Sequence, residues 1–434
     1  MKQAIVVGTG AGGATVAKAL QGAFDVTILE AGKEFKPFAM NLSVLDKLRM
    51  TGLFLDEREI PLLFPTMQIR KAGRNLILVN GRGIGGTTTI ATANALRMDQ
   101  SLRELGLDLD EEFSEIANEV PISTEHQKRW HPITRRLYEI CQRMELDPRP
   151  TPKMGDYSRC IRCGRCIFGC QQGAKWDTRE FVRDAVRNGA ELITDCVVER
   201  VIVSDRLAVG VEARKGWSRT CYDADLVVLA AGGLGTPVIL QNSGIECEKR
   251  LFVDPILCLA APGKRSKYHT EIAMPFVVQR DHFMVSPYFD YLSFFFHPDW
   301  RYPMEDLVGL MIKLADTPDG SVSRRGVEKG LTPADQKRLK EATDLCSSIL
   351  REYGASEEEI SLGTVNAGHP GGMLPLTSRE ATSLHHPSLP DNLYVADATV
   401  LPEPLGNPPI LTIMALAKRI SKLCVRLFAS QSLN

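Results

Sequence analysis

Cys160, Cys163, Cys166 and Cys170 crowd into one short stretch of the chain. Their order, C-x2-C-x2-C-x3-C, is the spacing with which bacterial ferredoxins wrap thiolates around an iron–sulfur cubane. Gly164 and Gly169 permit the tight backbone, and Gln171 stands where a proline usually follows. In two-cluster ferredoxins the fourth cysteine serves the other cluster, yet only one such motif is present here. The fourth ligand is therefore either Cys170 or a remote residue, with Cys196 and Cys141 as candidates. A structural zinc site and four free thiols are the competing readings. Zinc more often takes two separated cysteine pairs, so the three-step run favours iron–sulfur. Arg159, Arg162, Arg165, Lys175 and Arg179 surround the motif. They suit an acidic electron-transfer partner or simple compensation of cluster charge.

A second constellation opens the chain. Gly8, Gly10 and Gly13 match G-x-G-x-x-G between an apolar run, Ala4 to Val7, and small residues at helical spacing. The first glycine allows the tight turn, the second lets backbone approach a pyrophosphate, and the third lets helix and strand pack closely. Glu30 ends a second strand-like run, where a carboxylate accepts bonds from ribose hydroxyls and repels a 2′-phosphate. Two further glycine-rich turns follow, at residues 81–86 and 231–235.

These groups need a scaffold, and 434 residues supply two or three structural units. The chain is 44% apolar and 24% charged, which excludes collagen-like, disordered and mini-protein classes. A net charge of −1 gives no sequence-wide case for nucleic acid. The longest apolar run, Leu226 to Leu240, is broken by glycines and Pro237, so no transmembrane segment is expected. The N-terminus goes straight into a strand without a leader pattern, and a cytoplasmic location is expected. Eleven cysteines over so long a chain argue against a disulfide scaffold. The pattern predicts β–loop–α–β over the first 30 residues, a strand at 76–79, mostly helix over 101–147 and a helix at 180–190. Strands follow at 196–203, 207–213 and 225–230, then an aromatic, strand-like region from 251 to about 300. A charged helix fits 333–353, a strand fits 393–396, and an apolar helix fits 410–428.

Four blocks resemble the glucose–methanol–choline (GMC) oxidoreductase family of flavoenzymes. They are VVGTGAGGATVAKAL with VTILEAG, GRGIGGTTTIATANALR at 81–97, ADLVVLAAGGLGTPVILQNSGI at 224–245, and AGHPGG at 367–372 with NLYVADATVLPEPLGNPPILTIMALAKRI at 392–420. The resemblance implies an α/β fold: a non-contiguous, Rossmann-like FAD domain plus an α+β substrate domain with an antiparallel sheet. The boundaries it implies are 1–150, 181–250 and 385–434 for the FAD domain, 151–180 for the iron–sulfur segment and 251–384 for the substrate domain. It places FAD against Gly8, Gly10, Gly13, Glu30, Gly85, Gly86, Thr87, Thr88, Asn94, Val198, Asp397 and Pro408. Some relatives tether the flavin through a histidine; Ile90 stands at that position, so FAD should be non-covalent. The family's catalytic pair falls on His369 and Asn407. An imidazole can take the hydroxyl proton while hydride leaves for flavin, and an amide can hold the oxygen. Certain sugar dehydrogenases of the family hold a 3Fe–4S cluster before a Gly-x-Lys sequence, here Gly173-Ala174-Lys175; the additional cysteine favours 4Fe–4S.

The expected activity is an FAD-dependent dehydrogenase of an alcohol, sugar or other hydroxy compound. Its electrons would pass through a 4Fe–4S cluster to a redox protein: a ferredoxin, a cytochrome or another subunit. The rivals are a reductase running the same centre backwards, and a non-catalytic electron-transfer or assembly subunit with a structural metal. Phe283, Tyr288, Phe289, Tyr291 and Phe294 suggest an aromatic wall for the substrate or an ordinary core.

Overall fold

Apolar runs with no alternation mark strands covered on both faces, and two of them, Ala4–Val7 and Leu226–Leu229, pair side by side. The structure is a computed structural model that describes residues 1–38, 42–51, 59–60, 64–73 and 76–429. Strand β1 (Lys2–Val7) leads into helix α1 (Ala11–Ala19) and β2 (Phe24–Leu29). Hairpin β3 (Met67–Ala72) and β4 (Leu76–Gly81) follows, then α2 (Asp110–Glu119), α3 (Pro132–Arg143) and α4 (Arg179–Arg187). Next come β5 (Glu191–Ile193), β6 (Cys196–Ser204), β7 (Leu207–Lys215), β8 (Ser218–Asp223), β9 (Leu226–Leu229) and α5 (Gly232–Asn242). The second half holds β10 (Ile256–Pro262), β11 (Phe276–Gln279), β12 (Phe283–Pro287), α6 (Tyr291–Phe296), β13 (Leu307–Leu314) and α7 (Pro333–Tyr353). It closes with β14 (Leu393–Val395) and α8 (Ile410–Cys424).

A parallel five-stranded sheet has the order β14-β9-β1-β2-β5. Its strands are nearly all buried, and α1 and α8 close over it within one apolar core. The C-terminal strand ends bring the turns after β1, β9 and β14 together, the place where open α/β sheets bind ligands. A three-stranded antiparallel sheet, β8-β7-β6, lies beside it.

A second, larger and mostly antiparallel sheet runs from β3–β4 through a short strand at Asn366–Ala367, parallel to β4, to β10, β13, β12 and β11. Helix α7 packs on it, initiated by a Thr332–Asp335 capping box and stopped by Gly354 at φ +119°. Residues 1–150 therefore feed both sheets. The hairpin at 67–81 and the pair Arg149–Pro150 join the second sheet, because β4 pairs with Asn366–Ala367 and Phe276 with Pro150. The aromatic stretch read as strand also changes character: Tyr291–Phe296 is a helix, started by the Asp290 side chain accepting from Leu292 N at 3.1 Å.

Candidate active site

At the end of β1 the chain turns through Gly8, whose φ of +97° only glycine adopts without strain. Glu30, 5% exposed, accepts from Thr9 N at 3.1 Å, Thr9 Oγ1 at 2.6 Å and Gly32 N at 2.8 Å. Burial raises its carboxyl above the usual range while these donors oppose the shift. Thr9 Oγ1 also accepts from Gly85 N at 3.0 Å, so the two glycine loops touch at this point. A Cβ at Gly86 would lie 3.0 Å from Gly10 Cα, whereas a Cβ at Gly10 would meet nothing within 4 Å. The open side of Gly10, beside the N-terminus of α1, leaves room that could hold a pyrophosphate.

Asp397 is buried at the end of β14 and binds Gly232 N at 2.8 Å, Thr236 Oγ1 at 2.5 Å and Thr399 N at 2.8 Å. It locks the third turn to the C-terminal one. Thr88 is a brace as well: its hydroxyl bonds Gly85 O at 2.6 Å and Thr178 Oγ1 at 2.9 Å. Thr87 accepts from Gly81 N at 3.1 Å and lines the cavity described next. Val198 lies in β6, the edge strand of its sheet.

Against the larger sheet, beside residues 87–94 and the start of α8, lies an apolar cavity of about 170 Å³. Ile90, Met311, Tyr288 and Phe295 are among its walls, and His369, Lys313, Asn94 and Pro408 are among its polar or loop contacts. Of the five aromatics singled out from sequence, Tyr288 and Tyr291 line the cavity, while Phe283, Phe289 and Phe294 pack in the second core. Pro408 and Ile410 bring the N-terminus of α8 to the same space. Asn407 is fully buried; its Nδ2 donates to Leu405 O at 3.2 Å and its side-chain oxygen has no partner.

His369 does not stand alone. Its Nδ1 meets the Nζ of Lys313 and lies 3.7 Å from Asp254 Oδ2. Asp254 and Lys313 are each 1% exposed at their side chains and 3.8 Å apart. Asp254 Oδ1 accepts from Gly406 N at 3.0 Å, which ties the Asn407 loop to the same cluster. Burial, with the Lys313 charge adding to it, holds the imidazole well below its ordinary pKa. Lys313 and Asp254 escaped the sequence reading. The available signal was a lysine inside the otherwise apolar run Leu307–Leu314, all of it buried.

The cysteine segment forms another wall of this cavity, through Ile167 and Phe168. It is docked closely: Gly164 has φ +66°, and a Cβ there would come within 1.7 Å of His269 O. Cys160, Cys163, Cys166 and Cys170 lie within electrostatic reach of one another. Cys196 instead faces Tyr222 Oη at 3.9 Å in β6, and Cys141 sits in α3 near Cys346. Among the described residues no three His, Cys, Asp or Glu groups are arranged to hold a metal ion. Burial pushes the Cys160 thiol up to about 11 and raises Cys166. Ligation would have to displace those protons.

Two buried lysines flank this segment. Lys175 Nζ donates to Cys166 O at 3.0 Å, Thr89 O at 2.6 Å and Ala91 O at 2.8 Å. Lys153, 0% exposed, bonds Ala273 O at 2.6 Å, Thr92 O at 3.2 Å and the side chain of Asn94. Asn94 is thus engaged by Lys153 and by Met274 Sδ rather than free. Burial lowers the Lys153 ammonium to about 7, and Cys166 and Cys160 are the sulfur groups within electrostatic reach of it. A buried cation is costly unless paired, and Lys153 meets that cost either by shedding its proton beside neutral thiols or by facing thiolates.

The sequence pattern described as GMC oxidoreductase matches residues 2–270. The chain is 26% identical over 421 residues to the uncharacterized protein MJ1450 of Methanocaldococcus jannaschii, covering 95% of this chain and 97% of that one. It is 23% identical to the long-chain-alcohol oxidase FAO1 of Arabidopsis thaliana, covering 96% of this chain and 66% of the plant protein. Its fold is similar to that of pyridoxine 4-oxidase from Mesorbium loti, with a TM-score of 0.69 at 16% identity over 97% of this chain and 99% of the other. A formate oxidase superposes with a TM-score of 0.72 at 14% identity, over 99% and 98% of the two chains. With the matched pattern spanning well over half of the sequence, this chain belongs to the GMC oxidoreductase family.

Proposed function

We propose that this chain binds FAD without a covalent link and oxidises an uncharged, apolar alcohol. The observation that carries the reading is the cavity itself. It joins His369 and Lys313 to the second glycine loop, and its remaining walls are mostly hydrocarbon and aromatic. The open side of Gly10, the buried Glu30 and the Asp397 lock fit the dinucleotide that the family implies. Ile90, which lines the cavity, offers no nucleophile to a flavin. The similarity to a plant long-chain-alcohol oxidase points to the same substrate class.

Bound FAD would supply the hydride acceptor. The chain supplies the rest. His369 faces the cavity and takes the hydroxyl proton. Asn407, buried in the loop beside the cavity, would donate its second amide N–H to the substrate oxygen without competing for the proton. The apolar walls exclude water and bury the alkyl part of the substrate, at about 0.8 kcal/mol per CH2.

A 4Fe–4S cluster on Cys160, Cys163, Cys166 and Cys170 would supply one-electron transfer to a redox protein. Supporting this is the ferredoxin spacing of the four cysteines. The test is anaerobic. Purified protein should carry releasable flavin and about four iron and four sulfide per chain. Straight-chain primary alcohols should bleach the flavin, and the tightness should grow with chain length; sugars should not bleach it. Bleaching by sugars in preference to alcohols would overturn the substrate class, and zinc without sulfide would overturn the cluster.

A further inference from the structure

The polar corner of the cavity contains three ionisable groups where a histidine and an amide would suffice. Lys313 comes from the middle of β13, a strand with every residue buried. Its neighbours across the sheet are Ile256 on β10 and Met284 on β12, neither of which can share its charge. Asp254 and His369 face it, and the charge of Asp316 also reaches it. Asp316 is neutralised by Lys329 at 2.9 Å. Lys313 Nζ meets His369 Nδ1 and is 3.8 Å from Asp254 Oδ2, an oxygen with no hydrogen-bond donor of its own.

We propose that Lys313 is the final acceptor of the substrate's hydroxyl proton, that His369 relays it, and that Asp254 stabilises the ammonium so formed. This rests on the cavity being the alcohol site. Proton counting requires it. When Lys313 is an ammonium it donates to Nδ1, so the ring proton sits on Nε2 and that nitrogen cannot accept. Loss of one proton from the cluster leaves an amine at Lys313, a proton on Nδ1 and a bare Nε2. Only this form is a base toward the cavity. In the step itself the substrate O–H bond breaks and a bond to Nε2 forms. The Nδ1 proton passes to Lys313 Nζ. The carbon's hydrogen leaves with its electron pair for the bound flavin, and the alcohol becomes a carbonyl. The cluster is returned to its ammonium form and discharges one proton to solvent before the next cycle. Burial favours the discharge by pressing the ammonium pKa down, while Asp254 limits how far it falls.

Two readouts test this, one of them independent of turnover. In the FAD-loaded enzyme, nitrogen-15 NMR of His369 should show the Nε2–H tautomer at low pH and the Nδ1–H tautomer at high pH. The rate of flavin bleaching by alcohol should rise with the same midpoint. Lys313→Met should abolish the tautomer switch and the pH limb and slow bleaching by ~10²-fold or more. Lys313→Arg keeps a cation that proteins do not deprotonate, so it should be as slow as the Met variant. Asp254→Asn keeps an acceptor for Gly406 N yet removes the counter-charge, so the limb should move to lower pH. Wild-type bleaching rates in Lys313→Arg, or a limb unmoved in Asp254→Asn, would overturn the proposal. If no alcohol bleaches the wild-type enzyme, the substrate reading fails. The tautomer switch then decides the Lys313–His369 relay by itself, and its absence overturns the relay.

Discussion

Single buried polar residues brace this site, and His126 shows how such a brace responds to pH. It is 1% exposed. Its Nε2 bonds Thr151 O at 2.8 Å, and its Nδ1 lies 3.1 Å from the Trp130 indole nitrogen. An indole N–H only donates, so Nδ1 must accept and the ring must be neutral. Burial, then the Lys153 charge, hold its pKa down at about 4. In the unfolded chain the value is about 6.5. The unfolded state therefore binds the proton first, and stability is complete above about pH 6.5 and falls as the pH drops toward 4. The loss should approach roughly 3 kcal/mol in urea melts of the apoprotein. His126→Gln should remove much of that acid slope; an unchanged slope would assign it to carboxylates instead. At this scale the sequence announced the glycines and cysteines through their spacing, and His369 through the family resemblance. It did not announce His126, Lys153, Lys313 or Asp254. Most of their partners are 25 or more residues away in the chain, and only folding shows that a polar residue in an apolar stretch is paired.

Elements position these residues by close approach of backbone to backbone. Helix α1 starts at the end of β1 and passes under the turn after β14. A Cβ at Gly12 would come within 1.6 Å of Ala396 O, yet one at Gly10 would meet open space. The two glycines thus have different tasks, although the G-x-G-x-x-G motif counts only one of them. Gly12→Ala should lower stability by about 1–3 kcal/mol through overpacking, visible as a lower melting temperature even without flavin. Gly10→Ala, at φ −69°, should fold normally and lose flavin affinity. Equal melting temperatures for the two apoproteins would contradict this division. The apolar runs of β1, β2 and β9 were legible as strands. The uniformly buried β13 was not, because Lys313 interrupts its hydrophobic pattern. The helix α6 was read as strand because its aromatic run favours extended structure locally, and the Asp290 cap decided otherwise.

At the scale of the whole molecule, the cysteine segment walls the cavity and is tied to residues 89–91. Phe168 stacks on Phe64 at 4.8 Å beside the cavity, and Lys175 ties the Cys166 carbonyl to the second glycine loop. One ammonium therefore bonds both the backbone of residues 89–91 and that of the cysteine segment. The two redox centres would share a wall, yet they use separate side chains: His369, Lys313 and Asp254 for proton removal, thiolates for the cluster. This separation predicts that the half-reactions come apart. Cys163 is the exposed member of the four, so Cys163→Ser disturbs the core least. That variant should lose iron and sulfide, keep its FAD, and still bleach with alcohol. Its turnover with a one-electron protein acceptor should fall to background, because the electrons have no exit. The Lys313→Met variant should behave oppositely: chemically reduced flavin should still pass electrons to the acceptor at the wild-type rate, while alcohol reduces it slowly. Rapid mixing that follows the flavin band and the acceptor separately measures both. If Cys163→Ser keeps full acceptor turnover without iron, the cysteine segment is structural, and flavin delivers its electrons by another path.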